Sequence, residues 1–453
     1  MITNIKVDGF KSLSKFNMDL QPGLNILVGP NGAGKTNIIL FFEFLSNLIN
    51  GNLSEAISRT GGAGSILRKI GEETYQKHID VEITGHLKIT SKKIMNYCYI
   101  FKIELSSDNL IYYKNQRLII KFYKISKNRN LDSKIFETIL DIEQKTKPEL
   151  KSEIILNKYN RSELRSYLFP KRISDKNFEK SIKNIFLEYN LLSNSLVTAI
   201  NRIFDFRYMY GILYDLRGGA VFNIIPSEVK KPEDVAKAPG IQKDGSGLAA
   251  TFYAMEARRS RDEYYEDSFF YRQPFYERDI KRKVLNEQTF NKIIENIKLA
   301  NPSITNIQIE NEPFSNNLNV KISIKEGNKE AILPLSLMSD GTIKWMTLIT
   351  AIFTCRNFFS VEEPENFLHP WMQAEILKII RNNINQNSFV LMTTHSESLL
   401  NAAKPEEIVI INMKDGRSSA TRIRNIKSLK EEISNTGFGV GYFYFADGLN
   451  IEV

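Results

Sequence analysis

The sequence predicts an α/β protein: a mixed sheet with a phosphate-loop βα core, formed by the N- and C-terminal parts of the chain around an inserted antiparallel-β and helical middle region. Three observations predict it. An apolar strand, Gly23–Val28, runs directly into the glycine-rich stretch Gly29–Thr36 and then into the apolar helix Ile38–Leu48. The segments VEITGHLKI, YCYIFKIEL and RLIIKFYKI, between Val81 and Tyr123, alternate with the period of antiparallel strands. From Ser339 to the end βα alternation returns. A chain of 453 residues exceeds one core, which stops growing near ~250–300 residues. The expected division is an N-terminal lobe over 1–125, an inserted helical lobe over 126–220 and a C-terminal lobe over 221–453.

The elements follow in order. Ile2, Ile5 and Val7 begin a strand, and Gly9-Phe10 turns it. Between Lys124 and Leu192 the chain is rich in Lys, Asn, Glu and Ser, with helical periodicity broken at Pro148 and Pro170 and without sustained heptads. Pro226, Pro232, Pro239, Gly240, Gly245 and Gly247 mark turns that lead into a helix at Leu248. One helix and the strands ITNIQIE, NVKISIK and AILPL fill 284–335. The apolar run Trp345–Cys355 is too short to cross a bilayer and reads as a buried helix. The opening MITNIKVDGF lacks the basic-then-apolar character of a signal peptide. Cys98 and Cys355 cannot make a disulfide framework or a four-thiolate metal site. The expectation is a soluble, cytoplasmic protein without a membrane partner. Its net charge of +9 is too small an excess to decide for nucleic acid.

The strongest chemical signal is Gly29-Pro30-Asn31-Gly32-Ala33-Gly34-Lys35-Thr36, a complete G-x-x-x-x-G-K-[ST] loop. Its glycines let backbone N–H groups curl round phosphate oxygens, and the helix start adds partial positive charge. Lys35 is expected to reach the β- and γ-phosphates of ATP, and Thr36 to ligate Mg²⁺. The apolar run Phe358–Val361 ends in Glu362-Glu363, a pair of carboxylates at a strand terminus. Glu362 is expected to hold Mg²⁺ and Glu363 to orient and deprotonate the attacking water; the competing reading is an acidic helix start at Pro364-Glu365. Ser339-Asp340-Gly341-Thr342 opens a helix as an anion-binding N-terminus would, although an ordinary capping turn looks the same. The run Val390–Thr394 leads to His395, one of four histidines; His369 is the other one within this constellation.

In this order the motifs resemble the head of an ABC-class ATPase of the SMC/RecF/OLD-like group. The runs SDGTIKWMTLITAIF, VEEPENFLHP and TTHSESLL carry that resemblance, with KDGSGLAATFYAM, FNIIPSEVKKP and GFGVGYFYFADG. It covers about residues 1–75 and 222–448, and is greatest to the stand-alone ATPases of the PARIS and Septu antiphage systems. It implies that Ser339, Asp340 and Gly341 stand at the signature motif, Glu362-Glu363 at Walker B and His395 at the H-loop. Ser339 lies 24 residues before Glu363 and His395 lies 32 after it, the spacing of such heads. Departures are Glu362 in place of an aspartate, Asp340 in place of a signature glycine, and His369 at the D-loop aspartate. Gln76 is the Q-loop candidate, and Arg59-x-Gly61-Gly62 resembles a feature found near the nucleotide.

The resemblance further implies a homodimer or larger homo-oligomer in which Ser339 and Gly341 of one copy cover the ATP held by Lys35, Thr36, Glu362, Glu363 and His395 of another. The chain after His395 reads as too short, and too poor in acidic residues, for a TOPRIM nuclease. A separately encoded TOPRIM- or HNH-type effector is therefore expected, with DNA or a phage protein as trigger. The alternative is a RecF/SMC-like DNA-binding ATPase of repair or chromosome maintenance; a transporter ATPase fits the long insertion poorly. Residues 256–283 interleave Arg258, Arg259, Arg261, Arg272, Arg278, Lys281, Arg282 and Lys283 with seven aromatics. They read either as a nucleic-acid surface or as a charge-balanced helix pair.

Overall fold

The computed structural model describes the chain except residues 73, 91–92, 109, 127–132, 161–177, 204–206, 258–284, 356–357, 385–386 and 447–453. The basic and aromatic segment 258–283 thus lies outside the described residues. The chain divides into two compact units. The first comprises Met1–Ala220 with Gln386–Leu391 and Ile408–Arg424; the second comprises Val221–Asn385, Met392–Glu407 and Asn425–Val453.

The first unit supplies β1 (Ile2–Asp8), β2 (Phe16–Asp19), β3 (Gly23–Val28), β4 (His78–Thr90), β5 (Lys93–Leu105), β6 (Ile111–Ser126), β7 (Ser133–Thr146) and β8 (Ser152–Tyr159). Next come β9 (Ala220–Phe222), β10 (Glu233–Asp234), β11 (Ile304–Glu312), β12 (Asn317–Glu326), β13 (Lys329–Pro334) and β14 (Phe359–Glu362). β15 (Phe389–Thr393) spans the division, while β16 (Ile408–Lys414) and β17 (Arg417–Arg422) belong to the first unit.

Seven strands of the first unit form a sheet in the order β2-β1-β4-β5-β6-β7-β8, antiparallel throughout. Strict alternation buries Ile79, Val81 and Ile83 on β4, and Tyr97, Tyr99, Phe101 and Ile103 on β5. The phosphate-loop strand β3 runs parallel to β16, with Ile26 opposite Ile408 and Val28 opposite Ile410. Five of its six residues are buried. The helix Lys35–Asn50 that follows buries Ile38, Ile39, Phe41, Phe42, Phe44, Leu45, Leu48 and Ile49. Phe10 packs its ring 5.6 Å from Phe41 and 5.4 Å from Phe44, and each such buried side chain stabilises the unit by about 1.5–3 kcal/mol.

One expectation is corrected. Residues 126–220, read as a helical lobe, first extend the sheet through β7 and β8; among the described residues, helices follow at Phe178–Leu187, Leu196–Ile203 and Arg207–Arg217. The inward positions of β7 include Gln144 and Thr146, both buried. Gln144 Nε2 donates to Thr146 Oγ1 at 2.8 Å, and that hydroxyl donates to the Tyr113 carbonyl at 2.7 Å. Buried polar side chains, together with register shifts at Ile120/Lys121 and Asp141/Ile142, erase the simple alternation.

In the second unit, β12 pairs antiparallel with β10, β11 and β13, as the three expected strands of 304–334 require. The helix Asp340–Thr354 buries every residue from Ile343 to Ile352, and Trp345 Nε1 donates to the Asn296 carbonyl at 2.9 Å. This is the buried helix read from the apolar run. No helix among the described residues is long and apolar enough to cross a membrane.

Candidate functional site

In the first unit, β3 ends at Val28 and the loop Gly29–Gly34 turns the chain into the helix beginning at Lys35. Gly32 (φ +80°) and Gly34 (φ +99°) occupy the left-handed region, where a side chain is strained. Gly29 is required for space, since a Cβ there would lie 2.2 Å from the Ile411 carbonyl of β16. Gly34 caps the helix without a side-chain acceptor, which leaves first-turn N–H groups facing outward as an anion cradle. Lys35 is 7% exposed, and its ammonium donates to the carbonyls of Gly29 at 2.7 Å and Pro30 at 3.1 Å. The lysine thus folds back over its own loop. Pro30, Asn31, Gly32 and Thr36 are exposed, and Ala33 is buried.

Behind the loop stands a hydroxyl network that sequence reasoning missed. Ser418 Oγ donates to the Ala33 carbonyl at 2.8 Å and lies 2.7 Å from Ser12 Oγ, which accepts from Asn37 Nδ2 at 2.8 Å. The backbone N–H of Ser418 donates to the Ser12 carbonyl at 2.9 Å. A serine in a turn and another in a strand carry no signal by themselves. Gln76, the Q-loop candidate, donates from Nε2 to Asp8 Oδ2 at 2.9 Å and lies 3.1 Å from His78 Nε2. Arg59 ends the helix Leu53–Arg59, and the N–H of Gly62 donates to the Ile57 carbonyl at 2.8 Å.

The second unit carries the other expected residues. Glu362 ends β14 half-buried, and Glu363 follows with φ +42°, a conformation costly for a residue with a side chain. The N–H of Glu363 donates to the Thr393 carbonyl at 3.1 Å, and its Oε2 accepts from Asn366 Nδ2 at 3.0 Å. Ser339 caps the helix Asp340–Thr354, its hydroxyl accepting from the Thr342 N–H at 3.3 Å. Asp340 is bonded to Lys230 Nζ at 2.7 Å. Gly341 meets the next loop closely, since a Cβ there would lie 2.7 Å from the Phe367 carbonyl.

His395 is exposed, and its backbone N–H donates to Glu365 Oε1 at 2.7 Å. The same oxygen accepts from Thr394 Oγ1 at 2.9 Å. Gln373 joins both loops, donating to the Leu368 carbonyl at 2.9 Å and accepting from Ser396 Oγ at 2.6 Å. His369 caps the helix Pro370–Asn383 through Nδ1, which accepts from the Trp371 N–H at 3.3 Å. The structure therefore brings the serine turn, the paired glutamates and the histidine loop into one bonded cluster within this unit. Glu365, through the two bonds just given, and Lys344 of the helix Asp340–Thr354, whose Nζ donates to the Glu363 carbonyl at 3.1 Å, make its ties, and both escaped the sequence reading. A lysine inside an apolar helical run was the available signal for Lys344.

The family described as "AAA domain, putative AbiEii toxin, Type IV TA system" matches residues 24–207 and 215–401. The chain is 23% identical over 420 residues to the endonuclease GajA of Bacillus cereus (strain HuB5-5), covering 86% of this chain and 54% of that protein. It is 28% identical over 96 residues to the DNA replication and repair protein RecF of Corynebacterium jeikeium (strain K411), covering 20% of this chain and 21% of RecF. The chain thus spans about half the length of the first relative and about a fifth of the second. Among solved structures, the Smc head bound to the C-winged helix domain of ScpA aligns with a TM-score of 0.45 at 15% identity, over 94% of this chain and 99% of that one. With the family match running across both units, over the phosphate loop, the serine turn, the paired glutamates and His395, the chain belongs to this AAA domain family.

Proposed function

We propose that the chain binds ATP on the loop Gly29–Thr36, hydrolyses it with Glu363 as base, and uses the nucleotide to dimerise. The observation that carries this reading is the loop itself: two left-handed glycines, an uncapped helix start and a lysine folded over it. Such a cradle suits a polyphosphate, whose charge the N–H groups and Lys35 neutralise. Thr36 and Glu362 supply hard oxygen donors of the kind Mg²⁺ takes, and the ion would offset charge on the phosphates. Glu363 activates the water, and His395 contacts the γ-phosphate end. Ser339, Asp340 and Gly341 of a second copy cover the nucleotide, so loss of the γ-phosphate releases the pair.

Within a cell, the proposed role is that of sensor and scaffold in bacterial antiphage defence, controlling a nuclease effector on a separate chain. The likeness of its motifs to OLD-like defence ATPases and the relationship to an endonuclease support this. The RecF relationship supports a second reading, a DNA-binding ATPase of repair. The test is turnover and mass measurement with and without ATP, alone and with co-expressed neighbouring gene products. Lys35→Ala should lose nucleotide binding, while Glu363→Gln should bind ATP, turn over about 10²–10⁴-fold more slowly and accumulate as dimer. Full turnover in Lys35→Ala removes the loop from the reaction. Salt-dependent DNA binding by the chain alone, with no captured nuclease, selects the repair reading.

A further inference from the structure

Lys344 is 2% exposed and sits near the start of a helix whose residues from Ile343 to Ile352 are all buried. A buried cation is costly unless a partner compensates it. Its partner is a backbone group of the candidate base: Nζ donates to the Glu363 carbonyl at 3.1 Å and stands 5.9 Å from the centre of the Phe367 ring. Burial lowers the pKa of the ammonium from its usual value, and the charges of Glu365 and Glu363 oppose that shift.

Glu363 needs such a clamp. With φ +42° it occupies a region that costs about 1–3 kcal/mol for a residue with a Cβ, and that persists only where surroundings over-determine it. Thr393 holds the N–H side of the residue at 3.1 Å. On the carbonyl side, the Asn366 N–H closes the turn at 3.3 Å and Lys344 secures it from the helix. Lys344 stands less than two turns from Ser339, and the close approach of Gly341 to the Phe367 carbonyl binds the same helix to the same loop. The helix start and the base loop therefore move together.

Resting on the reading of Glu363 as base, we propose that Lys344 is a positioning residue: it fixes Glu363 in its left-handed conformation and so aims its carboxylate. The experiment is steady-state ATP turnover by the full chain for Lys344→Met and Lys344→Arg, each with and without Glu363→Gln. Lys344→Met should lower kcat about 10–100-fold, the scale of a ~1 Å misplacement, with KM for ATP within about twofold. Its melting temperature should not fall, because replacing a buried charge by an apolar chain of similar volume is often neutral or stabilising. Lys344→Arg, which keeps a donor, should recover part of the rate. In the Glu363→Gln background the Lys344→Met change should have no further effect, since the lysine acts only through that carboxylate.

Unchanged kcat in Lys344→Met, with Glu363→Gln inactive, overturns the inference and leaves the ATPase reading intact. An equal fractional loss in both backgrounds also overturns it. Full turnover in Glu363→Gln removes the base and this inference with it. If Lys344→Met does not fold, Lys344→Gln is read by the same criteria.

Discussion

Ser418 donates its hydroxyl to the carbonyl oxygen of Ala33 over 2.8 Å, so a strand near the end of the chain closes the back of the phosphate loop. Ala33 and Ser418 are both buried, and no solvent replaces that bond when it is lost. Leaving a buried acceptor without its donor costs about 1–3 kcal/mol. Ser418→Ala should therefore weaken nucleotide binding about tenfold while the sheet pairing of β16 and β17 holds the fold. Titration with a fluorescent ATP analogue measures it; unchanged affinity would mean that the loop keeps its shape without the serine.

Gly34 faces the same serine from the other side. A Cβ there would lie 2.0 Å from Ser418 Oγ and 2.8 Å from Ser12 Oγ, on a residue already at φ +99°. Gly32 shares the left-handed backbone, yet a Cβ there meets nothing within 4 Å. Gly32→Ala should cost about 1–2 kcal/mol of conformational strain. Gly34→Ala should abolish nucleotide binding and lower the melting temperature further, and Gly34→Ala with Ser418→Gly should recover part of the loss. Equal effects of the two single alanines would remove the steric argument.

The contrast between Lys35 and Ser418 explains what the sequence made legible. Lys35, its glycines and Thr36 are contiguous, so strand, loop and helix could be read as one mechanism. The Ser12–Ser418 contact joins residues 406 positions apart, and neither serine has a periodic or compositional signature. The strands β4 and β5 and the Leu118–Phe122 stretch of β6 were legible because alternation there is strict; β7 was not, because its inward face carries Gln144 and Thr146 and its register shifts opposite Ile120/Lys121. Glu362-Glu363 and His395 stood out as polar residues at the ends of apolar strands. That Glu365 ties the two loops required three dimensions.

Arg381 and Glu407 form a two-pronged pair in the second unit. Nε donates to Oε1 at 2.8 Å, Nη2 donates to Oε2 at 2.6 Å, and Nη2 also reaches the Ala402 carbonyl at 3.1 Å. Glu407 is only 8% exposed, so removing Arg381 leaves its carboxylate without a counter-charge, with the Lys404 N–H still donating at 2.8 Å. Arg381→Ala should destabilise the unit by about 2–4 kcal/mol, with Arg381→Lys recovering little because a single ammonium cannot reproduce the fork. A denaturant double-mutant cycle with Glu407→Gln measures the coupling, and additive effects would deny that the pair acts as a unit.

Cys98 lies on β5 between Thr84 of β4 and Ile119 of β6, beside a cavity of about 670 Å³ that Thr3, His86 and Ile119 help to line. Burial pushes its thiol up to about 11, and the nearby Glu82 charge adds to the shift against the opposing Lys6, Arg117 and Lys121. The direction follows from charge: the thiolate is the disfavoured form, so it is scarce below that value. At pH 8 the reactive fraction is about 10⁻³, and iodoacetamide labelling should rise about tenfold per pH unit between pH 8 and 10. The open cavity gives the reagent access, which leaves ionisation to set the rate. Mass spectrometry of the Cys98 peptide against free cysteine measures this. Labelling at pH 8 as fast as the free amino acid would mean that the thiol is not held neutral by its surroundings.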